Sequence, residues 1–225
     1  MSAASGSIRE TLTAHPRWVK SALLIFFSVG IAGFSLPLTR ELFTGLTPLA
    51  IILSLSVLLI FHEQSFDRKT VFSFISIIVI TWLIEAAGVA TGLIFGEYSY
   101  GSGLGIRLLE TPLLIGFNWL FMIYTSSCIA GQISSKRVIQ ILTASSLMVL
   151  YDFIMENIAG SLDMWSFSGG MPPLRNYIAW FIIAASIHTG LKSAGIKFTN
   201  RIAPFIFFVQ AVFFIILIII IRLYR

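Results

Sequence analysis

Three carboxylic acids sit where a carboxylic acid is costly. Glu85 lies within TWLIEAAG, and Asp152 and Glu156 lie within YDFIMENIAG. Both stretches are long and apolar, and an ionisable group at the centre of a membrane span costs about 2.5–3.5 kcal/mol on insertion scales. Asp152 and Glu156 are four residues apart, so a helix places them on one face, and Asn157 follows directly. Neither stretch carries a lysine or arginine that would neutralise them. A structural role, with bonds across helices or pairing to Arg107 or Arg175 from the flanking loops, would need one such pair. Three acids at a comparable depth point instead to acid–base work, in which a protonated carboxyl stands beside an ionised one.

The elements that must position these acids follow from composition. Of 225 residues, 57% are hydrophobic and 11% are charged, against roughly 25% charged in an average soluble domain. The mean hydropathy is +0.92. A soluble enzyme, a disordered chain and a disulfide scaffold are excluded, and one integral membrane domain over 1–225 is expected. The single cysteine, Cys128, lies in an apolar stretch and reads as a packing residue. His15, His62 and His188 are too far apart for a metal motif, and no CxxC, HExxH or P-loop pattern occurs. Neither metal nor cofactor is expected. The net charge of +5 does not indicate nucleic acid, because the basic residues sit in short segments between apolar runs. Met1–His15 is polar, and the first apolar run has no small-residue cleavage site after it, so no cleavable signal is expected.

Seven runs read as transmembrane helices of an all-α polytopic protein: Trp18–Leu36, Leu46–Phe61, Val71–Phe95, Pro112–Gln132, Val138–Ala159, Asn176–Leu191 and Ala203–Ile221. About 20 apolar residues cross the hydrocarbon core, and the absence of period-2 alternation excludes a barrel. The second and sixth runs are short. With the N-terminus inside, ten lysines and arginines fall on inner segments and five, Arg40, Arg107, Arg175, Arg222 and Arg225, on outer ones. That bias predicts N-in and C-out. A seven-helix retinal protein is excluded, since no lysine lies deep in a span.

Two outer loops resemble each other. FGEYSYGSGLGIRLLETP follows the third span and GSLDMWSFSGGMPPLRNY the fifth. Glu85, Glu97-Tyr98-Ser99-Tyr100, Pro112 and Asn118-Trp119 recur in order as Glu156, Asp163-Met164-Trp165-Ser166-Phe167, Pro172 and Asn176-Tyr177. Spans three and four would then repeat as spans five and six, in parallel, about an axis along the membrane normal. An interfacial aromatic belt explains the ring residues but not the shared order. Gly88 and Gly92 form GxxxG, an intramolecular close-packing signal. The last span has Gln210 as its only strong polar group and is expected to face lipid.

The run from Glu85 to Trp180 resembles carotenoid biosynthesis membrane proteins of the CruF type, which include carotenoid 1',2'-hydratases and bisanhydrobacterioruberin hydratases. The pieces are E-x-x-G at Glu85 and Gly88, G-x-x-F-G-x-Y-x-Y from Gly92 to Tyr100, and P-L-L-I from Pro112 with Trp119 beyond it. D-x-x-x-[DE] follows at Asp152 and Glu156, then W-x-F at Trp165, then G-x-P and N-Y-x-x-W through Gly170, Pro172, Asn176, Tyr177 and Trp180. Asn157 stands where the family has proline and Ala179 where it has glycine. The family core covers about 71–191.

The resemblance implies a cofactor-independent hydratase that adds water across the C1'-C2' double bond of an acyclic carotenoid. Asp152 would donate the proton, and Glu156 or Glu85 would act as the base. Tyr98, Tyr100, Trp119, Trp165, Tyr177 and Trp180 would line the substrate site, with aromatic faces steadying a cation. Asn118 and Asn176 would hold the water. The implied partners are a long apolar carotenoid, membrane lipid and other carotenoid enzymes, in a bacterial or archaeal cell membrane. A carotenoid cyclase or another polyprenyl-modifying enzyme would use the same acids. A proton-coupled transporter would use them as a relay.

Overall fold

The computed structural model describes residues 9–223. Arg225 and the first eight residues of the polar N-terminal stretch lie outside the described residues. Seven long helices make up most of the chain: α1 (Pro16–Ser35), α2 (Pro37–Ile60), α3 (Arg68–Thr91), α4 (Leu114–Ile133), α5 (Arg137–Glu156), α6 (Leu174–Ser193) and α7 (Ala203–Leu223). Four strands of two or three residues lie in the loops that follow α3 and α5: β1 (Tyr98–Tyr100), β2 (Arg107–Leu108), β3 (Thr111–Pro112) and β4 (Trp165–Phe167). This is an all-α polytopic membrane protein.

Local chemistry sets the helix ends. Pro16 and Pro37 open α1 and α2, where a missing N–H is harmless. The Asp67 side chain caps α3 by accepting from the Thr70 amide. Gly92 closes α3 in the left-handed region at φ 64°, which only glycine enters without penalty. That turn stops the third span four residues short of Phe95. The GxxxG signal is therefore not a helix–helix seam. Gly92 is a cap, and Gly88 leaves room for the Phe95 ring from the loop that follows.

Helix α4 is the axis of the bundle. Fourteen of its 20 residues are buried, against four of 24 in α2. It packs on α3, α5, α2 and α7, while α1 covers α7 and α2, and α5 pairs with α6. The outward faces carry bare apolar side chains such as Phe72, Ile75, Val79 and Leu83 on α3. In lipid such a surface needs no cover, so apolar residues on both faces of a helix are permitted. At the end remote from the acids, Asn200 donates to the Leu58 carbonyl and to the Tyr124 hydroxyl, joining α2, α4 and α7.

The predicted spans all form helices, with two differences. The second is not short, because α2 runs back to Pro37 and carries Pro48 inside it. The sixth forms α6, but among the described residues only the other six helices are long and apolar enough to cross a membrane by length and composition. Helix α6 is more polar, and its buried stripe, Asn176, Trp180, Ala184, His188 and Leu191, faces the bundle. Gln210 does not face lipid. It is buried, accepting from the Tyr151 hydroxyl (2.9 Å) and donating to Ser54 Oγ (2.9 Å).

Above the helices, the two similar loops are tied together. Strands β1 and β4 pair antiparallel, with Tyr98 opposite Phe167, Ser99 opposite Ser166 and Tyr100 opposite Trp165. Asp163 anchors the pair by accepting from the Ser102 amide (2.8 Å) and hydroxyl. The Gly101 amide donates to the Met164 carbonyl (2.9 Å) and the Gly103 amide to the Asp163 carbonyl (2.8 Å).

Two outcomes follow from this packing. A Cβ added at Gly116 would stand 2.4 Å from the Ile78 carbonyl oxygen, so Gly116→Ala must force α4 away from α3. The expected loss is about 1–3 kcal/mol, read by thermal unfolding in detergent, and the wild-type midpoint would contradict this contact. The Ser102 hydroxyl and amide hold the Asp163 carboxyl below its ordinary range. A depressed folded-state value contributes stability at neutral pH that disappears as pH falls through the acid range. Asp163→Asn should therefore unfold earlier than wild type at pH 7, with the gap closing toward about pH 3.

Candidate active site

The acids come together on the side of the bundle where β1 and β4 close it. Helix α3 delivers Glu85 and α5 delivers Asp152 and Glu156. Glu85 is 3% exposed, and its carboxyl accepts three bonds: Tyr98 Oη to Oε2 (2.6 Å), Tyr100 Oη to Oε2 (2.8 Å) and Trp119 Nε1 to Oε1 (2.9 Å). Asp152 is also 3% exposed, and its Oδ2 accepts from Asn176 Nδ2 (3.0 Å). The same amide reaches Glu156 Oε1 (3.4 Å), while Trp165 Nε1 donates to Glu156 Oε2 (3.0 Å).

These donors are all neutral. Burial and the neighbouring Glu85 carboxylate push the Tyr98 and Tyr100 hydroxyls well above the ordinary phenol range, so both remain protonated and able to donate. Among the described residues none of the three acids forms an ion pair. Arg107 instead donates to the Tyr100 carbonyl (2.9 Å) and lies 3.8 Å from Glu110. Of the structural alternative, the bonds across helices are present, from Trp119 to Glu85 and from Asn176 to Asp152, and the pairing with arginine is not. Among the described residues no three His, Cys, Asp or Glu side chains are grouped to hold a metal ion.

The acids open on a cavity of about 20 Å³. One water molecule needs about 10–15 Å³ on this measure, so the space takes a single small molecule. Glu85, Asp152, Glu156, Tyr98, Tyr100, Asn118, Trp165, Asn176 and Trp180 line it. Trp119 lies just behind, stacked on Trp180 with ring centres 4.0 Å apart. Ten of the eleven residues expected at the site thus line the cavity or bond the acids around it. Tyr177 is the exception. One step along the helix from Asn176, it turns away and packs beside Phe153 on the outer face. Sequence reading also left out Phe95, Ile115, Met122, Tyr151, Met155 and Phe167, which complete the wall. Tyr151 directly precedes Asp152 and binds Gln210, so the lone polar residue of the last span was the available signal.

The likeness of the two loops has a geometric counterpart. In the β1–β4 register, a two-fold rotation between Ser99 and Ser166 exchanges Tyr98 with Trp165 and Tyr100 with Phe167. Those are the pairs aligned in the sequence. The exchange also matches chemistry, because Tyr98 donates to Glu85 and Trp165 donates to Glu156. Deeper in the bundle, α3 packs on α4 as α5 packs on α6, and α4 also packs on α5, a contact that α6 and α3 do not match.

Comparison with known proteins gives the chain its relatives. Bisanhydrobacterioruberin hydratase of Haloarcula japonica is 24% identical over 159 residues, covering 62% of this chain and 52% of that protein. The chain thus aligns with about half the length of this curated relative. No solved structure matches. The family model described as carotenoid biosynthesis protein matches residues 46–225, four-fifths of the chain and all three acids, and the chain belongs to that family.

Proposed function

We propose that this protein is a carotenoid hydratase that adds water across the C1'-C2' double bond of an acyclic end group. The observation that carries the reading is the water-sized cavity walled by three acids with no cation beside them. Hydration of a trisubstituted alkene requires an acid, a water and a base, and the cavity offers each.

The proton moves from Asp152 to the less substituted alkene carbon, leaving a tertiary cation. Asp152 suits the donor role because the protein supplies it with one hydrogen bond, to Oδ2, leaving Oδ1 for a proton directed at substrate. Glu85 is the opposite case. Three donors occupy its two oxygens, so it accepts and has nothing to give. Held in place by these donors, its carboxyl in the ionised form would stabilise the cation electrostatically. The water oxygen then bonds to the tertiary carbon, and Glu156 takes the proton released. Asn176 spans Asp152 and Glu156, so the proton returns to Asp152 over a short path. Alkene plus water gives tertiary alcohol, and the acids are restored.

Ring closure, the cyclase reading, needs the neighbouring alkene rather than water beside the cation. Product mass separates the two, since hydration adds one water and cyclisation adds none. With the N-terminus inside, this site faces the outer half of the cell membrane of a bacterium or archaeon, and the substrate arrives from the lipid.

Asp152→Asn and Glu156→Gln should each lower hydroxylated product by about 10²-fold or more in cells that accumulate lycopene, with the amount of inserted protein unchanged. Pigment chromatography with mass measurement reads this, and wild-type product from either variant removes the assigned roles. Isotope-labelled water should place its oxygen in the product. Label arriving from O₂ instead would overturn hydration.

A further inference from the structure

A second cavity, of about 250 Å³, lies between α1, α2 and α7 and shares Asn118, Tyr151 and Met155 with the acid cavity. We propose that it holds the reacting end of the carotenoid, about two isoprene units long, with the alkene at that shared wall. The inference rests on the hydratase reading and moves the substrate out of the acid cavity, which it leaves to the water.

Size decides the division. A cavity of about 150 Å³ takes up benzene, so one of about 250 Å³ accommodates on the order of ten carbons. The acid cavity has no such room. The lining has the matching chemistry. Phe27, Phe34, Phe43, Phe121, Phe213 and Phe214 supply aromatic surface, suited to the flat π-system of a polyene. Its polar members are already satisfied: Tyr151, Gln210 and Ser54 bond one another, and Thr47 donates to the Phe43 carbonyl. Each of these polar side chains is thus tied to a protein partner, and the rest of the lining is apolar apart from Asn118. Asn118 differs. It faces both cavities, and its amide makes no hydrogen bond among the described residues, so it is placed to hold the water against the alkene.

The cavity also has a mouth. Val29 on α1 and Leu46 and Leu49 on α2 line it and are themselves 53%, 41% and 59% exposed. The rest of the polyene leaves between these two helices into the bilayer. Phe27, Phe34 and Phe43 precede residue 46, where the family match begins.

The test fills the cavity from α2. Ala50→Trp and Ile51→Trp, either of which suffices if the other fails to fold, place an indole where the polyene would lie. Leu53→Trp, on the same helix but outside the lining, is the control. Detergent-purified proteins of matched helicity are titrated with lycopene, and bound pigment is read by its absorbance and induced circular dichroism. Wild type and Leu53→Trp should bind, and the cavity-filling variants should bind about tenfold or more weakly and lose hydration in parallel. Unchanged binding and hydration in the filled variants would overturn the cavity assignment while leaving the hydratase reading intact. Absence of binding by folded wild type would also overturn it. Binding by wild type that the filled variants lose, with no water added by any of them, would uphold the cavity and remove the hydratase reading.

Discussion

The structure depends on holding three carboxyl groups inside an apolar bundle, Glu85 and Asp152 buried and Glu156 half-buried. In a bundle surrounded by lipid, every unsatisfied oxygen is penalised by several kcal/mol. The chain meets that demand with neutral donors from three directions. Trp119 on the central helix and Asn176 on α6 approach from the bundle, and Tyr98, Tyr100 and Trp165 reach down from the paired strands. Cations would have satisfied the same oxygens, but a carboxyl paired with arginine is held ionised and cannot act as a proton donor. Neutral donors stabilise the group and leave its chemistry available.

This requirement explains why so little sheet appears where it does. Three residues on each of two loops pair as β1 and β4, and that pairing fixes the height of two tyrosines and a tryptophan over the acids. The Asp163 anchor to Ser102 keeps the strands in register from outside the bundle. Gly116 lets α3 approach α4 closely, which brings Glu85 within reach of Trp119. The fold elements nearest the site are thus explained by the distances the hydrogen bonds need.

Much of this was legible from residue order. Apolar runs marked the helices, and the cost of Glu85, Asp152 and Glu156 marked the site, because a membrane span penalises each exception strongly enough to be seen without coordinates. What was not legible turns on direction rather than type. Tyr177 and Asn176 are neighbours in sequence, but 100° apart around a helix, and only Asn176 points inward. Gln210 sits in a run of isoleucine and phenylalanine that reads as lipid-facing, and its partners Tyr151 and Ser54 are 59 and 156 residues away. The ends of α3 and α2 were misplaced because one glycine at positive φ stops a helix inside apolar sequence, while Arg40, Glu41 and Thr44 continue one through polar sequence.

The paired loops give the site an approximate two-fold order, and its most informative feature is where that order breaks. Glu85 and Glu156 are counterparts, each bonded by an aromatic residue from a counterpart strand. Four residues before Glu156 stands Asp152, and four residues before Glu85 stands Thr81. The Thr81 hydroxyl donates back to the Ile77 carbonyl of its own helix (2.7 Å) and adds no acid to the cavity. A symmetric site would hold two equivalent carboxyl groups, with nothing to distinguish donor from acceptor. The extra acid on α5 gives one side a pair bridged by Asn176, and the other side keeps a single carboxylate fully occupied by donors. On the proposed hydratase reading, proton delivery and charge stabilisation would fall to different halves of the same arrangement. The apolar cavity meets this site at the wall formed by Asn118, Tyr151 and Met155, and two of those three residues belong to α5, the helix that carries the extra acid.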